Sequence, residues 1–77
     1  MQNLYRIIET TLDLPLDSIT DDFKMQDTDS WDSLRHMALI TAIETTYSLE
    51  LSFDEIVTMR SVAEIKAVLR AKGVEIL

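Results

Sequence analysis

The sequence predicts an all-α bundle of three longer helices and one short third helix, with a long loop after the first. Three observations carry that reading. Apolar residues recur three and four apart in separate stretches, two Ser-x-x-Glu boxes stand ready to open helices in the second half, and the one alternating apolar run has no partner strand. Leu4, Ile7, Ile8 and Leu12 define the first helix, over residues 3 to 13, because Pro15 disfavours helical backbone at Leu14. Residues 14 to 32 follow as an irregular loop with six aspartates, in which Leu16, Ile19 and Phe23 read as apolar pegs. A connection of that length inside a small domain is commonly functional.

The second helix is expected from Ser33 to Tyr47, with a stripe of Leu34, Met37, Ile40, Ile43 and Tyr47 broadened by Leu39 and Ala42. Leu49, Leu51 and Phe53 alternate with polar residues, but three positions without a partner make an extended connector, and no sheet is assigned. Ser52 with Glu55 starts a short helix over residues 53 to 58, and Ser61 with Glu64 starts the last one. That last helix carries Val62, Ile65, Val68 and Leu69. Arg70 and Lys72 suit its negative end, and Gly73 suits its termination.

Seventy-seven residues make one domain, 1–77, burying roughly 60% of the unfolded surface at best, which leaves little room for a deep catalytic cleft. With no cysteine, disulfides, thiolate metal sites and a cysteine nucleophile are excluded. The net charge is -7, and the acid lies early: residues 1–32 hold eight acids and two bases, residues 33–77 six acids and five bases. Such a chain is a poor ligand for nucleic acid or anionic membrane and a natural one for basic protein surfaces. Its first nine residues, amphipathic and interrupted by charge, read as neither a secretory signal nor a membrane span, so a cytoplasmic monomer is the expectation.

The serine of Asp32-Ser33-Leu34 stands where the second helix begins. The first backbone N–H groups of a helix have no internal partner and the peptide dipoles leave positive charge there, so a phosphoester on Ser33 is locally stabilised. Serine and aspartate are also ordinary helix caps, and the tripeptide alone proves little. In context, the segment Trp31-Asp32-Ser33-Leu34-Arg35-His36-Met37-Ala38-Leu39-Ile40 resembles the acyl carrier protein family, whose helix order, length and acidity this chain shares. The resemblance implies an acyl-carrier-like four-helix bundle. It also implies a 4'-phosphopantetheine arm on Ser33, placed there from coenzyme A by a phosphopantetheinyl transferase and holding acyl, aminoacyl or peptidyl groups as thioesters for separate loading and transfer enzymes.

On the same grounds Asp32 holds the helix start and meets the transferase, Leu34 and Met37 form the apolar part of a docking face, and Arg35, Ala38 and Glu44 tune that face. Cargo shelter falls between the second and third helices, near Ile43, Ile56, Met59 and Ile65, four residues that a bare packing argument places in the core. Trp31 before Asp-Ser-Leu, His36-Met37 after it and the run Ser52-Phe53-Asp54-Glu55-Ile56 resemble discrete bacterial carriers of specialised pathways, such as polyketide, nonribosomal-peptide or surface-saccharide assembly. Familiar fatty-acid carriers usually show several acids on the exposed second-helix face, where this chain has Arg35, His36 and Ala38 and keeps Glu44.

Other chemistry fares poorly. His36 three residues after Ser33 lacks an oxyanion site, a nucleophile elbow and a cleft, which leaves a surface histidine as the expectation. Asp27-x-Asp29 fails the EF-hand frame at Trp31, Asp32 and Ala38. Met25, Met37 and Met59 read as core or pocket filler, and Trp31 as buried along one edge. No catalytic residue and no metal ligand is assigned. The competing reading is an acidic helical adaptor that binds a basic protein and carries no prosthetic group.

Overall fold

Leu4, Ile8 and Leu12, one helical turn apart, are shut from solvent along one side of the first helix, and the rest of the chain is built around that stripe. The computed structural model describes residues 3–15 and 18–75. Its helices are α1 (Asn3–Leu12), α2 (Ser33–Tyr47), α3 (Phe53–Thr58) and α4 (Val62–Ala71), with a single 3-10 turn, Met25–Asp27, in the long loop. The all-α architecture is as the sequence predicts, α2 and α3 have the predicted bounds, and α1 stops one residue early. Leu39, Ile40 and Ile43 of α2 and Val62, Ile65 and Leu69 of α4 complete the core with Leu4, Ile8 and Leu12.

The long loop is tied down at several points. Ile19 is buried and Phe23 half-buried, as pegs should be, whereas Leu16 lies outside the described residues. Lys24 and Ser61 form an isolated antiparallel bridge, the one piece of extended pairing among the described residues. In it the Met25 N–H donates to the Arg60 carbonyl at 2.8 Å and the Val62 N–H to the Phe23 carbonyl at 2.9 Å. The 3-10 turn is held at its start by Asp27, whose carboxylate accepts from the Lys24 N–H at 3.0 Å. These bonds satisfy loop backbone that would otherwise be orphaned.

Both predicted capping residues work, but differently. Ser52 and Glu55 exchange two reciprocal bonds, Glu55 N–H to Ser52 Oγ at 3.2 Å and Ser52 N–H to Glu55 Oε1 at 2.8 Å. Ser61 accepts from Glu64 N–H at 3.1 Å, yet the Glu64 carboxylate reaches the Arg60 N–H, at 3.3 Å, and not the Ser61 N–H. The second box is thus shifted back by one residue.

Three helices end on the same left-handed turn. Gly73 has φ +90, and the Val74 N–H bonds the Leu69 carbonyl while the Gly73 N–H bonds that of Arg70. Asp13 (φ 58) and Ser48 (φ 55) occupy the equivalent place after α1 and α2, with Leu14 N–H donating to Glu9 and Leu49 N–H to Glu44. A left-handed L-residue costs about 1–2 kcal/mol, aspartate being better tolerated there than serine. Ser48 is exposed, so Ser48→Gly should raise stability in urea denaturation by about 0.5–1 kcal/mol once glycine's greater unfolded freedom is deducted. A loss of stability on this change would contradict the strain.

A buried ammonium joins α4, α1 and the loop. Lys66 is 5% exposed, its Nζ lies 2.7 Å from Asp21 Oδ1 and 2.9 Å from Tyr5 Oη, and it sits 4.6 Å over the Tyr5 ring. The Tyr5 hydroxyl also donates to Asp21. Hydrogen bonds first from Lys66 and then from Tyr5 hold the Asp21 carboxyl below the usual carboxylate range. Burial works against the Lys66 charge, but bonds to Asp21 and Tyr5 outweigh it and hold the ammonium above its ordinary value.

The signs of these two shifts fix where the pair contributes. A depressed carboxylate stabilises the fold above its unfolded value, 3.8, and loses that contribution as pH falls through the folded one. A raised ammonium stabilises it below 10.5 and loses that contribution as pH rises through its folded value. Asp21→Asn should therefore lower stability at neutral pH, with the gap to the native chain closing in acid below 3.8. Denaturation midpoints of the two chains across that range measure it, and a gap that persists unchanged in strong acid would contradict the ion pair.

Candidate functional site

The beginning of α2 is organised by Asp32. With extended backbone (φ -94, ψ -176) it is the N-cap, and its Oδ1 accepts from the Arg35 N–H at 2.8 Å while its carbonyl accepts the His36 N–H, also at 2.8 Å. Ser33 is therefore the first helical residue, not the cap, and its exposed hydroxyl has no part in holding the helix. The N–H groups of Ser33 and Leu34 have no intrahelical acceptor, as in any first helical turn.

Around this serine the surface is apolar. The large hydrophobic side chains left exposed among the described residues are Leu34 (81%) and Met37 (50%) on α2, with Phe53 (77%) and Val57 (45%) on α3. Their concentration on two adjacent helices is the pattern of an interaction face. The α2 stripe read from the sequence is divided accordingly. His36, Leu39, Ile40 and Ile43 make the buried face, and Leu34 and Met37 lie outside it.

A groove of about 230 Å³ runs between the beginning of α2 and α3, lined by Ser33, His36, Met37, Phe53, Ile56 and Val57, with Met25 and Arg60 at its edge. Of the four expected cargo residues, Ile56 lines it, whereas Ile43, Met59 and Ile65 have no exposed surface and belong to the core. The reason is depth, since the α2 face at Ile43 is packed solid and the groove opens at the Ser33 end. A larger hollow of about 490 Å³ beyond Met25 and Arg60 is lined by Lys24, Gln26, Ser61 and Glu64, and does not reach Ser33.

His36 is not the surface residue expected. It is 8% exposed, its Nδ1 accepts from the Trp31 Nε1–H at 2.9 Å, and its Nε2 lies 2.9 Å from the Ile56 carbonyl of α3. Trp31 is buried over its whole ring, at 2% exposure, and stacks on Phe23 with centroids 6.1 Å apart and planes 10° from parallel. The position three after Ser33 turns inward because the buried face of α2 runs through 36, 40 and 43. A histidine there escapes a search for apolar periodicity.

The remaining candidates are placed as follows. Arg35 is half-buried, Ala38 is exposed, and both stand beside Leu34 and Met37 in the first turns of α2. Glu44 is half-buried and its Oε2 accepts from the Leu51 N–H at 2.9 Å, so it anchors the connector after α2. Phe53 and Val57 were not singled out by sequence reasoning. Their place on a six-residue helix with no buried residue was the available signal.

Among solved structures, this chain is similar to the NMR structure of a holo acyl carrier protein from Geobacter metallireducens. The TM-score is 0.80 at 27% identity, over 91% of this chain and 80% of that one. The fold is that of the acyl carrier proteins. No family model and no curated protein matches the sequence, so the likeness stands on the fold and on the motif at the start of α2. Among the described residues no helix is long and apolar enough to cross a membrane. That likeness supports a carrier role in general, which suits a chain whose exposed serine adjoins an apolar face and a shallow groove.

Proposed function

We propose that this chain is a monomeric and cytoplasmic acyl carrier that takes 4'-phosphopantetheine on Ser33 and presents acyl, aminoacyl or peptidyl intermediates to separate biosynthetic enzymes. The observation that carries the reading is the exposed Ser33 hydroxyl, first in α2 and freed from capping by Asp32. The residues fit the group: the unbonded N–H groups and positive end of α2 favour a phosphoester there, and the groove beside Ser33 offers apolar walls to whatever the arm bears. When bound, the group supplies a thiol that forms thioesters. Intact mass after incubation with coenzyme A and a phosphopantetheinyl transferase tests the proposal, and a chain that gains nothing would instead be an acidic adaptor.

Leu34 and Met37, joined by Phe53 and Val57, make the apolar part of the docking face for the transferase and the loading and transfer enzymes. A carrier must be released after each reaction, so docking is weak and steered by charge. Arg35 and Ala38 select partners that offer an acidic or neutral patch, as suits a specialised pathway more than bulk fatty-acid synthesis. Arg35→Glu with Ala38→Glu should therefore raise transfer by fatty-acid synthase enzymes about tenfold at low salt and slow a dedicated partner by as much. Both effects should shrink above about 0.1 M salt as screening sets in. Transfer rates unchanged with both enzyme sets at low salt would mean that this face does not choose the partner.

A further inference from the structure

The imidazole of His36 bridges two elements that the α2 helix does not otherwise bond through side chains. Its hydrogen bonds fix its protonation, because an indole nitrogen can only donate and a carbonyl can only accept. With Trp31 Nε1–H donating to Nδ1 at 2.9 Å, Nδ1 must hold a lone pair, and Nε2 must carry the proton that it donates to the Ile56 carbonyl, 2.9 Å away. The bridge thus exists only for the neutral ring in one tautomer. A second proton would go to Nδ1, turn the Trp31 contact into two donors facing each other, and do so in a ring that is 8% exposed.

Among the described residues nothing around the ring compensates such a charge. Among the described residues no carboxylate is within ion-pair distance of it. On α2, Asp32 directs its Oδ1 at the Arg35 N–H. On α3, Glu55 is engaged by the Ser52 N–H and by Lys72 at 2.9 Å, and Asp54 is exposed. From the loop, Asp27 holds the Lys24 N–H and Asp29 is exposed. The charged group that shares the groove with His36 is Arg60, of the same sign as imidazolium.

The acceptor matters as much. Ile56 lies in the last turn of α3, where carbonyls lack helical partners, and besides His36 its oxygen receives the Met59 N–H at a long 3.3 Å. A helix of six residues has no independent stability and stays formed through what it packs on. We infer that His36 is a proton-sensitive latch: neutral, it clamps α3 and the Trp31 loop onto the start of α2 and keeps the groove beside Ser33 narrow, and protonation releases both. The consequence for cargo rests on the carrier reading, but the latch belongs to the unmodified chain and is tested there.

The chain has one tryptophan and one histidine, so each end of the latch has its own probe. In the unmodified protein at about pH 8, imidazole nitrogen NMR should show the Nε2–H tautomer. Acidification should shift Trp31 emission to the red as its contact to His36 Nδ1 is lost. Amide exchange in α3, corrected for intrinsic chemistry, should then rise about tenfold while α1 stays protected. His36→Gln, which keeps a donor and an acceptor but does not titrate, should lose the transition. An Nδ1–H tautomer at neutral pH, Trp31 and α3 signals that stay constant on acidification, or the same transition in His36→Gln would overturn the latch. Should His36→Gln not fold, the native tautomer and the response of Trp31 and α3 to acid decide alone. Because no arm is present, the result is independent of whether Ser33 can be modified.

Discussion

Incubated with coenzyme A and a broad-specificity phosphopantetheinyl transferase, the native chain should gain the mass of one phosphopantetheine and Ser33→Ala should gain none. The substitution is unusually clean for a residue at a helix start. Removing a capping serine costs about 1 kcal/mol, but here Asp32 is the cap and its bond to the Arg35 N–H at 2.8 Å survives the change. Alanine is also the best helix former and Ser33 is exposed, so the helical spectrum and thermal midpoint should stay at native values. Loss of modification then reports chemistry, not unfolding. A fully modified, folded Ser33→Ala would place the attachment elsewhere. A native chain that stays unmodified would remove the carrier reading and leave the exposed face of Leu34, Met37, Phe53 and Val57 as a binding surface only.

The backbone was legible where local chemistry decides it. Asp32, Ser52 and Ser61 cap the helices they were expected to open, and Gly73 closes the last one, because each of these effects involves residues within one turn. Which side of a helix faces the core is a tertiary matter and was read less well. Leu34 and Met37 fit the apolar stripe of α2 by spacing, yet both are exposed, while the polar His36 is buried. By spacing alone, an apolar residue left at the surface and one buried in the core look alike. The Lys66, Tyr5 and Asp21 cluster was invisible for a related reason, since 45 residues separate Lys66 from Asp21 and 61 separate it from Tyr5. Depth was likewise illegible: of the residues expected along the α2–α3 seam, Ile56 lines the groove that opens at Ser33, while Ile43, Met59 and Ile65 are in the core.

Trp31→Ala should be the most damaging single change in the loop, costing about 3–5 kcal/mol. A folded chain of 77 residues has roughly 4–12 kcal/mol in all, so this variant should be largely unfolded or loosely packed. Three losses combine. The ring is 2% exposed and its removal leaves a cavity, Phe23 loses the face it stacks on, and His36 loses the donor to Nδ1. Trp31→Phe separates them, since it retains most of the apolar filling and a ring for Phe23 while leaving the buried Nδ1 without its partner. It should cost about 1–3 kcal/mol, the range for an unsatisfied buried polar group. With the sole tryptophan gone, urea unfolding must be followed by circular dichroism. A Trp31→Ala chain within about 1 kcal/mol of native would show that the loop is not part of the core. Equal losses for Trp31→Ala and Trp31→Phe would place the stability of this corner in the hydrogen bond to His36 and not in the ring.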